Sequence, residues 1–288
     1  MILILGGSGY VGQMFQAVLQ SLGIDYKSLS RSAADYSQRA VLIKAIEELK
    51  PNFIINAAGY TGKPNVDQAE LDKTECLRAN SVLPGVIGEV CRDYQIPWGH
   101  VSSGCIFTGN NQGKGFSEED APNFTFRQNN CSFYSGTKAL GEELLKDLSN
   151  CYIWRLRIPF NEINSPRNYL TKVMSYKTLL DVENSVSQLE EYVRACVKCW
   201  KEDFEFGTYN VTNPGFITTR EVVELMKEFG FCTDKEFKFF ESEEEFMNLV
   251  AKAPRSNCVL DSSKIIKAGA ELTEVREAIK TCLKRWHA

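Results

Sequence analysis

The sequence is poor in histidine and has no long apolar run. Only two histidines, His100 and His287, occur in 288 residues, so a mechanism built on imidazole has few candidates. The first apolar run, MILIL, meets Gly6 after five residues. That is too short for the hydrophobic region of a signal peptide or for a membrane span. A strong charge of either sign is also missing. The formal net charge is −4, which gives no general attraction to nucleic acid or to anionic lipid. Together these absences describe a cytoplasmic globular protein with neither nucleic acid nor membrane as a partner.

Cysteine, by contrast, is plentiful. The ten thiols are expected to be reduced in the cytosol, and most sit among apolar neighbours, where cysteine packs as a small hydrophobe. Cys196 and Cys199 form a C-x-x-C, but a zinc site needs two further ligands and no second pair accompanies them. The helical pattern around them assigns them to packing, and no metal site is expected.

Short apolar runs alternate with helical patterns through the first half. Strands are expected at 2–6, 26–31, 52–59, 98–107 and 151–159, with helices at 13–23, 39–51, 76–94 and 134–148. This alternation predicts an α/β protein with a Rossmann-type, doubly wound parallel sheet. Beyond residue 160 the regularity fades, although 189–202 and 220–230 read as helices and 207–213 as a strand. The expected organisation is a dinucleotide-binding domain over 1–160, to which some later segments return. A smaller α/β substrate-binding subdomain is expected mainly over 161–288. The acidic run ESEEEF (241–246) reads as a solvated helix start.

GGSGYVG (6–12) sets Gly6, Gly9 and Gly12 in a G-x-x-G-x-x-G spacing between the first strand and its helix. Without Cβ atoms the backbone can approach a pyrophosphate, and the helix N-terminus supplies N–H groups. Ser8, Tyr10 and Val11 belong to the same loop. The second strand ends in SLSRS, with Ser30 and Arg31 where a carboxylate would bind the ribose hydroxyl of NAD. Arg31 suits a 2′-phosphate through paired hydrogen bonds, so NADPH is the expected cofactor and NADH the alternative. Asn56, Ala57, Ala58 and Gly59 end the third strand and complete the expected cofactor set.

Tyr134 and Lys138 form Y-x-x-x-K near a helix start, which projects both from one face. An ammonium beside a phenol favours its ionised form, suiting a tyrosine that protonates a carbonyl oxygen as hydride arrives. Ser103, at the end of the preceding strand, can hold the same oxygen. Cys105 is two residues further on, and an ideal strand would turn both side chains to one side.

With these residues the sequence resembles the extended short-chain dehydrogenase/reductases over nearly its whole length. Within them it is similar to the bifunctional UDP-4-keto-6-deoxy-glucose 3,5-epimerase/4-reductases that make UDP-rhamnose. The stretches AAGYTGKPNVD (57–67), SSGCIF (102–107), GFSEEDAPNF (115–124), SFYSGTKA (132–139), SPRNYLTK (165–172) and APRSN (253–257) carry the likeness. It also resembles the dTDP-4-keto-rhamnose reductases and GDP-fucose synthases. The resemblance implies a nucleotide-sugar substrate, an upstream 4,6-dehydratase that supplies it, and a homodimer. It implies an epimerase acid/base pair of Cys105 and Lys172, a role for Asn80 in positioning Lys138 beside the cofactor, and a sugar pocket lined by Thr61, Lys63, Asn65 and Asp67. Asn168 and Arg255 would hold the diphosphate.

Single-function reductases carry Asp-Tyr where this chain has Gly104-Cys105. Fucose synthases use a histidine as the second acid/base, which here falls to Lys172, whose pKa must then be lowered by burial or nearby cations. Two other readings compete: a 4-reductase without epimerase activity, and a dinucleotide-binding regulatory subunit, against which the intact Ser103, Tyr134 and Lys138 argue. The segment FRQNNC (126–131) is an insertion expected near the mouth of the site.

Overall fold

Six short apolar runs become the strands of one parallel sheet in the computed structural model, which describes residues 1–63 and 65–287. They are β1 (Ile2–Leu5), β2 (Tyr26–Leu29), β3 (Phe53–Asn56), β4 (Trp98–Ser103), β5 (Cys151–Leu156) and a sixth strand, Gly207–Asn210. Across the sheet they run Gly207–Asn210, β5, β4, β3, β1, β2. The chain moves outward from β1 to β2 and then returns to the other side of β1 with β3. That reversal leaves a crevice at the carboxyl ends of the two strands, where ligands bind in such sheets.

Alternation within the strands builds a core on each face. Ile2 and Ile4 pack toward α1 (Tyr10–Ser21) and α7 (Leu189–Lys201), together with Phe15, Trp154 and Tyr192. Leu3 and Leu5 pack toward α2 (Arg39–Leu49) and α4 (Leu83–Asp93), with Leu42, Ile87 and Trp98. Cys196 and Cys199 are buried within the first of these cores. A third cluster, drawn wholly from Phe160 onward, joins Leu170, Val222, Met226 and Ile279. The later half of the chain is therefore shared: its sixth strand and α7 complete the sheet layer, while the rest encloses a core of its own. Among the described residues no helix is long and apolar enough to cross a membrane.

The helix expected over 76–94 is built in three pieces: α3 (Lys73–Leu77), a π-helical turn (Arg78–Val82) and α4. Backbone crowding accompanies the wide turn. α5 (Phe133–Leu145) presses Gly141 against it so closely that a Cβ there would lie 2.3 Å from the Asn80 carbonyl oxygen. Such wide turns often mark functional sites, and Asn80 lies at the centre of this one.

A buried ion pair fastens α5 to the sheet. Arg155 on β5 donates to Glu142 on α5 through Nε (3.1 Å to Oε2) and Nη2 (2.8 Å to Oε2), and Ser102 Oγ on β4 donates to Glu142 Oε1 (2.5 Å). Both charged side chains are under a tenth exposed. Breaking such a pair from one side strands a buried charge, so Glu142→Ala should cost about 3–5 kcal/mol. Urea denaturation should register this as a lower midpoint with an unchanged slope. The double variant Glu142→Ala/Arg155→Met should regain part of the loss.

Candidate active site

The carboxyl edge of the sheet opens into a cavity of about 550 Å³. The β1–α1 loop forms one wall. Gly6 has φ +82°, and a Cβ on it would lie 2.5 Å from Ala58 N; one on Gly12 would lie 2.3 Å from Gly6 O. Both are glycines because the protein itself fills the space. Gly9 differs: its added Cβ would meet nothing closer than Gly6 O at 3.4 Å, and it faces the cavity with Tyr10 and Val11. Gly9 opens α1, and among the described residues no side chain caps that helix.

Other expected cofactor residues divide. Ala57, Ala58, Gly59 and Asn80 line the cavity. Ser8 is exposed on the loop, its carbonyl accepting from Gln13 Nε2 (3.2 Å). Ser30 Oγ pairs with Ser32 Oγ (3.0 Å), and Arg31 Nη1 with Glu75 Oε1 (2.8 Å), at the open end of β2 outside the cavity. The Glu75 hydrogen bond raises the Arg31 pKa. Asn56 does not reach the cavity. It is buried, donating from Nδ2 to His100 Nδ1 (3.0 Å) and accepting from Ala58 N (3.1 Å), so it shapes the β3 loop from below. Burial, followed by the nearby Lys138, keeps His100 neutral.

Asn80 acts on backbone. Its Oδ1 accepts from Tyr60 N (2.8 Å), and its Nδ2 donates to Tyr60 O (3.0 Å) and Thr137 Oγ1 (3.2 Å). Its link to Lys138 therefore runs through the neighbouring Thr137 on α5, with no direct bond to the ammonium. Lys138 Nζ instead donates to Val101 O (3.0 Å).

Ser103, Cys105, Tyr134, Lys138 and Lys172 all line this cavity. The reason for Cys105 differs from the strand geometry expected. β4 stops at Ser103, and Gly104–Ile106 form a 3₁₀ turn in which Ser103 Oγ accepts from Cys105 N (3.3 Å). The turn, not strand alternation, brings the thiol beside Ser103. Burial raises the Cys105 pKa, while Ser103, Ser135, Arg157 and Lys138 oppose it. Burial also raises Tyr134, against a hydrogen bond from Ser103. The phenol is therefore raised, against the lowering by Lys138 that the sequence led us to expect, and desolvation lowers Lys138 as well. Lys172, on α6 (Tyr169–Ser175), is lowered first by burial and then by Arg167.

Of the expected substrate residues, Thr61, Asn65, Ser103 and Arg255 line the cavity, whereas Lys63 is exposed outside it. Asp67 also stays outside, because both its oxygens are taken by Arg255, at 2.7 Å from Nη1 and 2.8 Å from Nη2. This partner lowers the Asp67 pKa. Asp67 thus orients Arg255 and does not itself face a ligand. Asn168 is a correction of the same kind. It is fully buried, its Nδ2 donating to Asn161 O (2.7 Å) and Ile163 O (2.8 Å), while its Oδ1 caps α6 through Leu170 N (3.0 Å). No donor remains for a diphosphate.

Two charged cavity residues escaped the sequence reading. Arg167, beside Asn168, donates to Thr61 Oγ1 (3.1 Å) and Gly62 O (3.0 Å). Arg157 is buried at the end of β5; an arginine in so apolar a run was the available signal, since arginine is seldom fully buried without a partner. Lys138, Arg157, Arg167, Lys172 and Arg255 give the cavity five cationic side chains, with no carboxylate among its described lining residues. A chain of net charge −4 has gathered positive charge at one place. The insertion at 126–131 keeps out of the cavity; Phe126 covers Gly136 of α5, where an added Cβ would lie 2.3 Å from the ring.

Comparison with known proteins agrees with this architecture. A trifunctional UDP-glucose 4,6-dehydratase/UDP-4-keto-6-deoxy-D-glucose 3,5-epimerase/UDP-4-keto-L-rhamnose-reductase of Arabidopsis thaliana is 35% identical over 283 residues, 96% of this chain and 40% of that protein. The chain thus spans about two fifths of that relative's length. A bifunctional dTDP-4-dehydrorhamnose 3,5-epimerase/dTDP-4-dehydrorhamnose reductase of the same plant is 35% identical over 96% of this chain and 90% of its own. The crystal structure of a UDP-rhamnose synthase from Acanthamoeba polyphaga mimivirus superposes with a TM-score of 0.90 at 25% identity, covering 99% of this chain and 98% of that one. The same fold, at 19% identity and a TM-score of 0.81, covers 99% of this chain and 97% of a Bacillus anthracis dTDP-4-dehydrorhamnose reductase solved with NADP. The family model described as RmlD substrate binding domain matches residues 1–288, and the chain belongs to that family.

Proposed function

We propose that this protein is an NADPH-dependent 3,5-epimerase/4-reductase acting on a nucleoside-diphospho-4-keto-6-deoxy sugar, with UDP-4-keto-6-deoxy-glucose as substrate and UDP-L-rhamnose as product. One observation carries the reading: Cys105 and Lys172 line the same cavity as Ser103, Tyr134 and Lys138. Reduction alone has no use for the first two. The activities of the two plant relatives point the same way.

The cavity suits both ligands. Gly9 leaves a cradle that its own Cβ would occupy, as close approach of a pyrophosphate to a helix N-terminus requires. Gly9, Tyr10 and Val11 would hold the dinucleotide, with Arg31 exchanging or sharing Glu75 to meet a 2′-phosphate. When bound there, the nicotinamide supplies hydride to C4 of the sugar. Arg167 and Arg255 offer guanidinium forks to the sugar diphosphate. The upstream 4,6-dehydratase and a homodimer belong to this proposal as the resemblance implies them.

The residues then divide the work. Ser103 and Tyr134 hold the C4 oxygen, which makes the hydrogens on C3 and C5 acidic because the resulting carbanions delocalise onto it. Cys105 and Lys172 act as the acid and base, one removing a proton and the other returning one to the opposite face. The lowered pKa of Lys172 favours proton exchange closer to neutrality than an ordinary lysine allows. After epimerisation Tyr134 gives its proton to the C4 oxygen during reduction. Lys138, fixed to Val101 O, presents a buried positive charge beside the resulting phenolate.

Incubation with the 4-keto sugar in deuterium oxide without NADPH should label C3 and C5 in NMR spectra, and adding NADPH should then yield the rhamno-configured product. Reduction with no deuterium at either carbon would leave a reductase alone. Cys105→Ser should slow the labelling at least about 10²-fold.

Gly9→Ala should weaken NADPH binding at least about tenfold, or 1.4 kcal/mol, and move the melting temperature by less than about 3 °C. Gly12→Ala should lower both the melting temperature and the affinity, since its Cβ would collide with Gly6 O. Fluorescence titration of NADPH and a thermal melt check both variants.

A further inference from the structure

Among the described residues, Arg157 is a buried cation with no carboxylate partner. The chain's other buried arginine, Arg155, is neutralised by Glu142. Arg157 is 7% exposed, and its Nη2 donates only to neutral groups, Asn184 Oδ1 at 2.5 Å and the Ser256 carbonyl. Its Nε is buried and has no acceptor among the described residues. An uncompensated buried charge with an orphaned donor costs several kcal/mol. Such a cost is characteristic of sites where an opposite charge develops during work.

Position identifies that charge. The Arg157 stem runs along the 3₁₀ turn that carries the thiol: a Cβ on Gly104 would stand 3.5 Å from Arg157 Cδ. Arg157 and Cys105 line the same cavity, and the guanidinium favours the ionised forms of both Cys105 and Tyr134. Lys172, the other member of the acid/base pair, is instead disfavoured in its charged form by a different cation, Arg167.

We propose that Arg157 is the counter-cation of the Cys105 thiolate, and thereby makes Cys105 the base of the epimerisation. The second half rests on the epimerase reading above. In the step, Cys105 Sγ takes a proton from C3 or C5. The C–H bond breaks, the S–H bond forms, and the electron pair moves onto the C4 oxygen held by Ser103 and Tyr134. The Lys172 ammonium then protonates the opposite face of the carbon. Solvent takes the thiol proton and reprotonates Lys172, closing the balance. Arg157 touches no reacting atom in this scheme; it is a positioning residue.

Alkylation of Cys105 by iodoacetamide, followed peptide by peptide with mass spectrometry across a pH series, reads the thiolate without any substrate. In the full chain, Arg157→Gln should move the Cys105 midpoint upward by about one unit or more, about a tenfold lower rate near neutral pH. Arg157→Lys, which keeps the charge, should stay within about threefold of wild type. Arg157→Met is the second neutral variant should the glutamine protein fold poorly. Replacing an unpaired buried charge by an apolar chain is often neutral or stabilising, so its melting temperature should hold and its alkylation midpoint should still rise. Deuterium labelling of the sugar should fall in step in both neutral variants and recover in Arg157→Lys. An unshifted alkylation midpoint in both neutral variants, accompanied by a raised KM, would overturn the proposal and assign Arg157 to the substrate's anion. A shifted midpoint in a protein whose wild type never labels the sugar would leave the ion pair standing and remove the epimerase reading.

Discussion

The arrangement of the site depends on the buried pair between Arg155 and Glu142. Three elements that carry functional groups meet there. Ser102 precedes Ser103 on β4, Glu142 lies one turn beyond Lys138 on α5, and Arg155 precedes Arg157 on β5. Because Glu142 accepts from both strands, α5 cannot slide along the sheet without abandoning a buried charge. The glycine contact between Gly141 and the Asn80 carbonyl removes the remaining freedom, since the helix lies in backbone contact with the π-helical turn. The network continues through Asn210, which receives Arg155 Nη1 (3.4 Å) and donates to the carbonyls of Phe116 (2.9 Å) and Asp261 (3.0 Å). The segment bearing Arg255 and Ser256 is thereby tied to the same anchor. Positioning of this kind is what a reaction with a fixed oxygen and two fixed faces requires.

Charge within the cavity follows a different logic. Five cations without a carboxylate would repel one another, and four of them are restrained by a neighbour placed outside the cavity or by neutral oxygens. Arg255 is held by Asp67 from behind, Arg167 by Thr61 and the Gly62 carbonyl, and Lys138 by the Val101 carbonyl. This leaves a net positive field that is not cancelled inside the cavity, where low dielectric strengthens it. The diphosphate of the proposed substrate would meet preformed donors there and lose little to reorganisation.

Much of this was legible in the sequence, for identifiable reasons. All six strands lie within the runs expected, four of them as buried apolar stretches and two, Tyr26–Leu29 and Gly207–Asn210, with a more exposed and polar pattern. The strand ends were less legible: β4 stops at Ser103, four residues before the apolar run does, because Gly104 starts a 3₁₀ turn. Side-chain direction was the main loss. Asn56 and Asn168 stand in suggestive strings, yet both amides are saturated by the protein's own backbone or by His100. An asparagine that caps a helix and one that binds a ligand look alike in sequence, since both exploit the same short amide. Arg157 was missed for the converse reason. Its neighbours read as plain strand, and only the structure reveals that its Nε is buried without an acceptor among the described residues.

The scarcity of histidine acquires a mechanistic meaning in this setting. An imidazole titrates near neutrality unaided, but His100 is sealed beneath the site and held neutral beside Asn56 and Lys138. In the proposed epimerisation Lys172 would have to be brought toward neutrality by its surroundings, and partial burial and Arg167, a cation on the same segment, both act in that direction. Arg167 thus serves twice, bracing the 61–62 loop through its two donors while its charge lowers Lys172. On the other side of the cavity Arg157 favours the opposite outcome for Cys105, a group that gains charge on losing its proton. Within the proposed pair, burial raises Cys105 and Arg157 opposes it by favouring the thiolate, whereas at Lys172 burial and Arg167 act together to lower the ammonium. In the proposed reaction a cavity of uniformly positive sign would thereby serve an acid and a base at once, because the thiolate and the ammonium carry opposite charges.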